Sequence, residues 1–269
     1  MKRESVQAKT KRTDILGESR AKDARGRFAI IPPVAVFTGA LVVWEIVVRL
    51  RDIPKYVLPA PAAVFAAFAE DAPALAHHSA VTLGETVVGL LISVAVAMIT
   101  AVLMDAFAKF REAVYPLLVV SQTIPVIVLA PLFIIYLGFG AAPKILTVVL
   151  MCYFPIAVNF LDGMRRTDIG LVNLVRSFGA KPLQIYATVK IPMALPSFFS
   201  GLRIAATYSI MGAVVGEWLS SDSGLGYYML RVKNGYQLDR VFATILAIIL
   251  LSLLMNGIVR LLSSIILKQ

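Results

Sequence analysis

Few side chains in this 269-residue sequence could do chemistry. The two histidines, His77 and His78, are adjacent. Neighbours in sequence do not share a helix face, so they read as solvated loop residues and not as a metal pair. The single cysteine, Cys152, follows Met151 inside an apolar run. It offers no disulfide within the chain and no cysteine metal site, and both residues read as packing. No G-x-x-x-x-G-K-S/T occurs, so ATP hydrolysis by the P-loop route needs a partner. No cofactor or metal is expected. What remains are polar residues embedded in apolar runs: Gln122 and Thr123 beside Pro125, then Ser200, Arg203, Thr207 and Ser209. Polar groups inside a bilayer are costly and mark either solute paths or structural pairs.

The elements that must hold these residues are membrane helices. The chain is 59% hydrophobic and only 16% charged, with a mean hydropathy of +0.82. A run of about 20 apolar residues crosses a bilayer core, and six runs qualify: about 28–50, 82–107, 113–137, 144–161, 192–216 and 240–266. Gln122 then lies about 14 Å into the third span and Arg203 about 16 Å into the fifth, at 1.5 Å per residue. The first run carries Pro32 and Pro33 in its first turns, where a missing N–H costs least. Residues 62–70 read as a short surface helix after Pro59 and Pro61.

The net charge is +10, and residues 1–27 hold nine of the 26 Lys/Arg. A basic, polar segment of this kind reads as a disordered cytoplasmic tail that sets topology, not as a nucleic-acid arm. No cleaved signal is expected, because the run after Phe28 is too long for one. With the tail inside, 18 Lys/Arg face the cytoplasm and seven, Lys144 among them, face outward; both termini are then cytoplasmic. Glu45, beside Trp44, reads as an interfacial anchor. Glu85 and Glu217 fall near outer span ends, where headgroups could solvate them; Glu217 and Trp218 could also gate the outer mouth or meet an outside partner.

The loop 162–191 is basic and interrupted. Leu171, Leu174, Val175 and Phe178 recur at i, i+3, i+4 and i+7, one apolar face of a helix. Gly179 follows as a terminator, Pro182 suits the first turn of a second helix, and Pro192 is expected to stop that helix and open the fifth span. Such a face could lie on a membrane or fill the groove of a soluble partner; spacing leaves both open.

The loop resembles the cytoplasmic "EAA" loop of ATP-binding-cassette (ABC) importer permeases, patterned E-A-A, three residues, Gly, nine residues, I-x-L-P. Gly179 matches the glycine, and Val189, Lys190, Ile191 and Pro192 match the end. The E-A-A positions fall on Asn173, Leu174 and Val175, so the acid is missing. Similarity extends through YVLPAPAAV (56–64), SQTIPVIVLAPLFIIYLGFGAAPKI (121–145), LPSFFSGLRIA (195–205) and GEWLSSDSGLGYYM (216–229). These are similar to the permease group serving nitrate, sulfonate, taurine and vitamin-precursor uptake. The last stretch is most similar to the branch importing pyrimidine-type thiamine precursors or riboflavin; a nitrate-, sulfonate- or taurine-type anion is the alternative.

The resemblance implies an all-α, six-helix permease of the type I importer (MetI-like) fold over 28–269, in a bacterial inner membrane. It implies a second permease subunit, expected to be an identical copy, two ATPase subunits and an extracytoplasmic solute-binding protein. Leu171, Asn173, Leu174, Val175, Arg176, Phe178, Gly179, Ala180, Pro182 and Pro192 would dock the ATPase. Gln122, Thr123, Pro125, Ser200, Arg203 and Thr207 would line the path, although the GLR triplet looks generic to the family and favours a structural role for Arg203. An ion-coupled transporter would need buried acids near the midplane and an inverted repeat. A membrane enzyme would need clustered catalytic groups. Neither pattern is visible in the sequence.

Overall fold

The structure, a computed structural model, describes residues 31–267; the expected tail, 1–27, lies outside the described residues. The described residues are helical, with no strand among them. They fall into two compact units that divide after Phe65.

In the first unit, α1 (Ile31–Leu50) is a 20-residue apolar helix. A turn leads from it into α2 (Pro61–Glu70), which runs across the division after Phe65 and is one residue longer than the expected surface helix. Glu45 has a local task beyond anchoring. Its carboxylate accepts from Arg49 Nε at 2.5 Å and from the Ala62 N–H at 2.9 Å. The second contact satisfies a first-turn donor of α2 that has no intrahelical partner.

The second unit holds the remaining helices of the described residues. These are α3 (Ala72–Ala106), α4 (Ala108–Ser121), α5 (Val126–Leu137), α6 (Ala141–Arg165), α7 (Ile169–Ser177), α8 (Pro182–Ile185), α9 (Ile191–Ser220), α10 (Leu225–Asn234) and α11 (Leu238–Ile266). A π-helical turn, Tyr186–Lys190, joins α8 to α9. Among the described residues four helical runs are long and apolar enough to cross a membrane: α3, α6, Pro182–Leu219 and α11. Their outward faces remain apolar, with Leu91, Ile99, Leu253 and Leu261 all exposed, as lipid-facing helices should be.

Three expected boundaries are corrected. The second span begins at Ala72, not 82. Its length is roughly 50 Å at 1.5 Å per residue, well beyond a bilayer core, and it carries His77 and His78 on a helix and not in a loop. The third span is not continuous: α4 and α5 meet at a 103° bend over Gln122–Pro125. Pro125 lacks an N–H and holds an extended ψ of 117° at the start of α5, so the helix cannot run through it. The fifth span begins at Pro182 and runs through Pro192 without stopping. Pro192 sits in the first turn of α9, directly after the π turn, where a missing N–H costs least.

The bent pair must return the chain across the bundle. Glu85 and Ser93 of α3 meet Lys144 and Val149 of α6 in the same order, so α3 and α6 run parallel. Glu85 to Ala106 spans roughly 30 Å of helix, which α4 and α5 together must recross.

Helix α6 is the hub of this unit. Small residues let its neighbours approach, as in membrane bundles generally. A Cβ on Gly212 of α9 would stand 3.0 Å from Val148 Cα, and one on Gly216 would stand 2.9 Å from Lys144 Cα. A Cβ on Gly89 of α3 would lie 2.6 Å from the Val148 side chain. The core between them holds Val148, Cys152, Ile156, Phe160, Ala205, Ile210 and Ala213, all fully buried.

Candidate functional site

At one end of the bundle, α7 projects from the chain. Asp168 starts it by accepting from the Gly170 N–H at 2.8 Å, an N-cap that satisfies a free donor. Gly179 ends it at φ +82°. The Gly179 N–H donates to Arg176 O and the Ala180 N–H to Val175 O, which is the paired closure of a glycine C-terminus. The elbow expected at Gly179 is therefore present.

The two faces of α7 have different fates. Val172 is buried with Ile185 and Val189, and Val175 and Ala180 pack against this small cluster. Val175 is thus turned toward α8 and the π turn, a correction to its expected place on the free face. Leu171, Leu174 and Phe178 remain uncovered, and Phe178 is 82% and nearby Leu183 80% exposed. Asn173, Arg176 and Pro182 are exposed around them.

Gln122 and Pro125 line a cavity of about 530 Å³ at the helix break, with Ser121 and Ile124 beside them. Leu150 and Met151 of α6 and Tyr208, Met211 and Val215 of α9 complete its wall. Met151 therefore borders a space and does not only pack. Non-helical backbone at membrane depth is tolerated where it lines such a cavity.

Ser200, Arg203 and Thr207 are not brought to this cavity. Arg203 Nη2 donates to Ser263 Oγ at 3.4 Å, and Asn256 Nδ2 donates to Thr207 Oγ1 at 3.1 Å, so both residues tie α9 to α11. Ser200 Oγ returns to Pro196 O at 3.0 Å, and Thr123 Oγ1 to Val120 O at 2.7 Å.

Residues 89–267 match the family described as "Binding-protein-dependent transport system inner membrane component". The chain belongs to this permease family. A probable ABC transporter permease protein of Haemophilus influenzae is 37% identical over 84% of this chain and 93% of its own length. The formylaminopyrimidine transport permease protein ThiX of Halalkalibacterium halodurans is also 37% identical, over 84% of this chain and 91% of its own. The MetNI methionine ABC transporter, in an inward-facing structure, has a chain that superposes with a TM-score of 0.65. That chain is 20% identical, and the match covers 72% of this chain and 96% of that one. The fold is thus the MetI-like permease fold, and the chain is a multi-pass plasma-membrane protein. It is a transport component, not an enzyme, and family membership implies ATPase partners and a partner permease.

At the end opposite α7 this permease encloses a charged cluster that sequence reasoning missed. Lys144 Nζ is ion-paired with Glu85, and both are buried. Lys144 Nζ also donates to Ser221 Oγ at 3.1 Å. Glu217 is 1% exposed; it accepts from Thr82 Oγ1 and from the Gly226 N–H, each at 2.6 Å. The Gly224 N–H donates to His78 Nδ1 at 3.1 Å, and the Leu225 N–H to Thr82 Oγ1 at 2.9 Å. His78 packs on Tyr228, with ring centroids 5.1 Å apart.

These contacts correct four expectations. Lys144 is not an outer-loop charge, Glu85 is not solvated by headgroups, and His78 is not a free loop residue. Glu217 presents no surface to an outside partner. Trp218 is half-buried against the core. The cluster fastens the turn between α9 and α10 onto α3 and α6. Gly224 is required there: its φ is +104°, and a Cβ would strike the Glu217 carboxylate. Two acids and a lysine far apart in sequence gave no spacing signal.

Proposed function

We propose that this permease moves a small polar, pyrimidine-type solute into the cytoplasm, with α7 as the element that docks an ATPase. The observation that carries the docking reading is the uncovered apolar row Leu171, Leu174 and Phe178, beside a glycine elbow that fixes its angle. In a membrane chain a helix projecting from the bundle end with its inward face already packed has one face left for a partner. Gly179, Ala180, Pro182 and Pro192 shape the handle, and Asn173 and Arg176 rim it.

The α7 end is then cytoplasmic, and α1 supplies a sixth crossing beside the four continuous runs and the bent pair. The Gln122–Pro125 break lies on the solute path, as discontinuous helices do in other transporters. Two copies of the chain face each other across that path, two ATPases sit below, and a separate binding protein delivers solute from outside. ATP-driven closure of the ATPases shifts the bundle between inward- and outward-open states.

The pyrimidine assignment is supported by the 37% identity to the formylaminopyrimidine permease and by the similarity of the 216–229 stretch. Proteoliposomes holding the permease with its co-purified ATPase and binding protein test it. Labelled formylaminopyrimidine should accumulate with ATP, while riboflavin and taurine should not. Accumulation of taurine instead would replace this solute with an anion. Co-purification without any ATPase would remove the docking role of α7.

A further inference from the structure

The π turn Tyr186–Lys190 sits between the handle and the bundle. On one side its Val189, with Ile185 just before it, packs against Val172 of α7. On the other side its first and last residues grip one carboxylate. Tyr186 OH donates to Asp105 Oδ2 at 2.7 Å, and Lys190 Nζ meets the same oxygen at 2.5 Å. Lys190 Nζ also lies 4.9 Å from the centroid of the Tyr186 ring. Asp105 is the penultimate residue of α3, and its side chain is 5% exposed.

The arrangement is mechanically specific. α9 is continuous with the turn, and the turn follows α7 through the packing of Ile185 and Val189 on Val172. α3 is separate in sequence and needs a tie of its own. Short charge-assisted bonds are stronger and more directional than apolar contact, and two donors on one oxygen fix the direction of pull. Single-turn π segments inside helices are frequent at functional sites. Here the turn sets Tyr186 and Lys190 on the same carboxylate.

We propose that Asp105, Tyr186 and Lys190 form a strut that makes α3 move together with α9 when the ATPase moves α7. This rests on the reading of α7 as the docking element. The three are positioning residues: none touches solute or nucleotide. The strut turns a movement of one short helix into a concerted movement of the two longest helical runs among the described residues.

The test uses the whole transporter. Cys152→Ala removes the one native thiol, and spin labels are placed at Ile99→Cys on α3 and Met193→Cys on α9, both exposed positions. The labelled chain is diluted with unlabelled copies, and the α3–α9 distance is measured without nucleotide and after trapping with ATP and vanadate. With Asp105 intact the distance should stay the same in both states. With Asp105→Asn it should shift or split on trapping, while ATP hydrolysis continues. Asp105→Lys combined with Lys190→Asp should restore a single distance, which a general loss of stability would not do.

An unchanged distance in Asp105→Asn overturns the strut. If Asp105→Asn fails to assemble, Tyr186→Phe and Lys190→Met are measured in the same way, and failure of all three to assemble overturns the strut in favour of a folding role. Phe178→Asp is run alongside. If it leaves the ATPase bound, the docking reading fails, whatever the strut does.

Discussion

Lys144 is the residue on which the end opposite α7 depends. It is buried on α6 against α3 and α9 and neutralises Glu85, with a second buried acid, Glu217, close by. Removing one partner of a buried ion pair leaves an uncompensated charge, which costs about 3–5 kcal/mol. Lys144→Met should therefore lower the thermal midpoint in detergent sharply, and Glu85→Leu in the same chain should recover most of the loss. A strictly additive double mutant would mean that the two residues do not act as a pair. Tyr228 gives a second prediction, outside the spans. Burial, and next its hydrogen bond to Asp71, push the phenol from 10 up to about 12. The folded state thus holds the proton more tightly than the unfolded chain. That contribution is fully present below pH 10 and is lost as pH rises through about 12. Alkaline titration of stability should show a smaller decline for Tyr228→Phe, which has no proton to lose.

Among the elements, α6 and α9 pack through glycine and α7 is held by its ends. Gly212→Ala and Gly216→Ala drive a methyl into α6 backbone, and overpacking of this kind costs roughly 1–3 kcal/mol. Gly84→Ala and Gly257→Ala meet nothing within 4 Å and should gain up to about 1 kcal/mol from helix propensity. Thermal midpoints of the four variants should separate into those two groups; a common sign would refute the packing account. For α7, Phe178→Asp puts a charge on the uncovered face and Gly179→Arg puts a side chain at φ +82°. Both should remain in the membrane yet lose the ATPase in a pull-down. Of this helix, its apolar period, its glycine stop and the proline after it were legible in order along the chain. That Val175 turns inward was not, because the i+4 position belongs equally to either edge of an amphipathic face until a neighbour covers one.

For the whole molecule, the α7 end and the α10–α11 turn should lie on opposite sides of the membrane. With Cys152→Ala as background, a membrane-impermeant maleimide should label Tyr236→Cys in intact cells, and Phe178→Cys only after permeabilisation. Labelling of both in intact cells would refute the orientation. Composition and spacing establish that the chain lives in a bilayer, that it is helical, roughly where its long apolar runs lie, and that 171–182 holds an amphipathic period with a glycine stop and a proline after it. Those properties are written in local composition and spacing, since each helix satisfies its own backbone and must be apolar over a fixed length. Only the tertiary structure shows that the third span is broken, that the fifth begins ten residues early, that Glu85 pairs with Lys144 and Asp105 with Lys190, and that Glu217 is held by Thr82 and the Gly226 N–H inside the fold. A charge at the end of an apolar run looks the same in sequence whether it meets water, a headgroup or another charge. Only the packing of helices distant in sequence chooses among them.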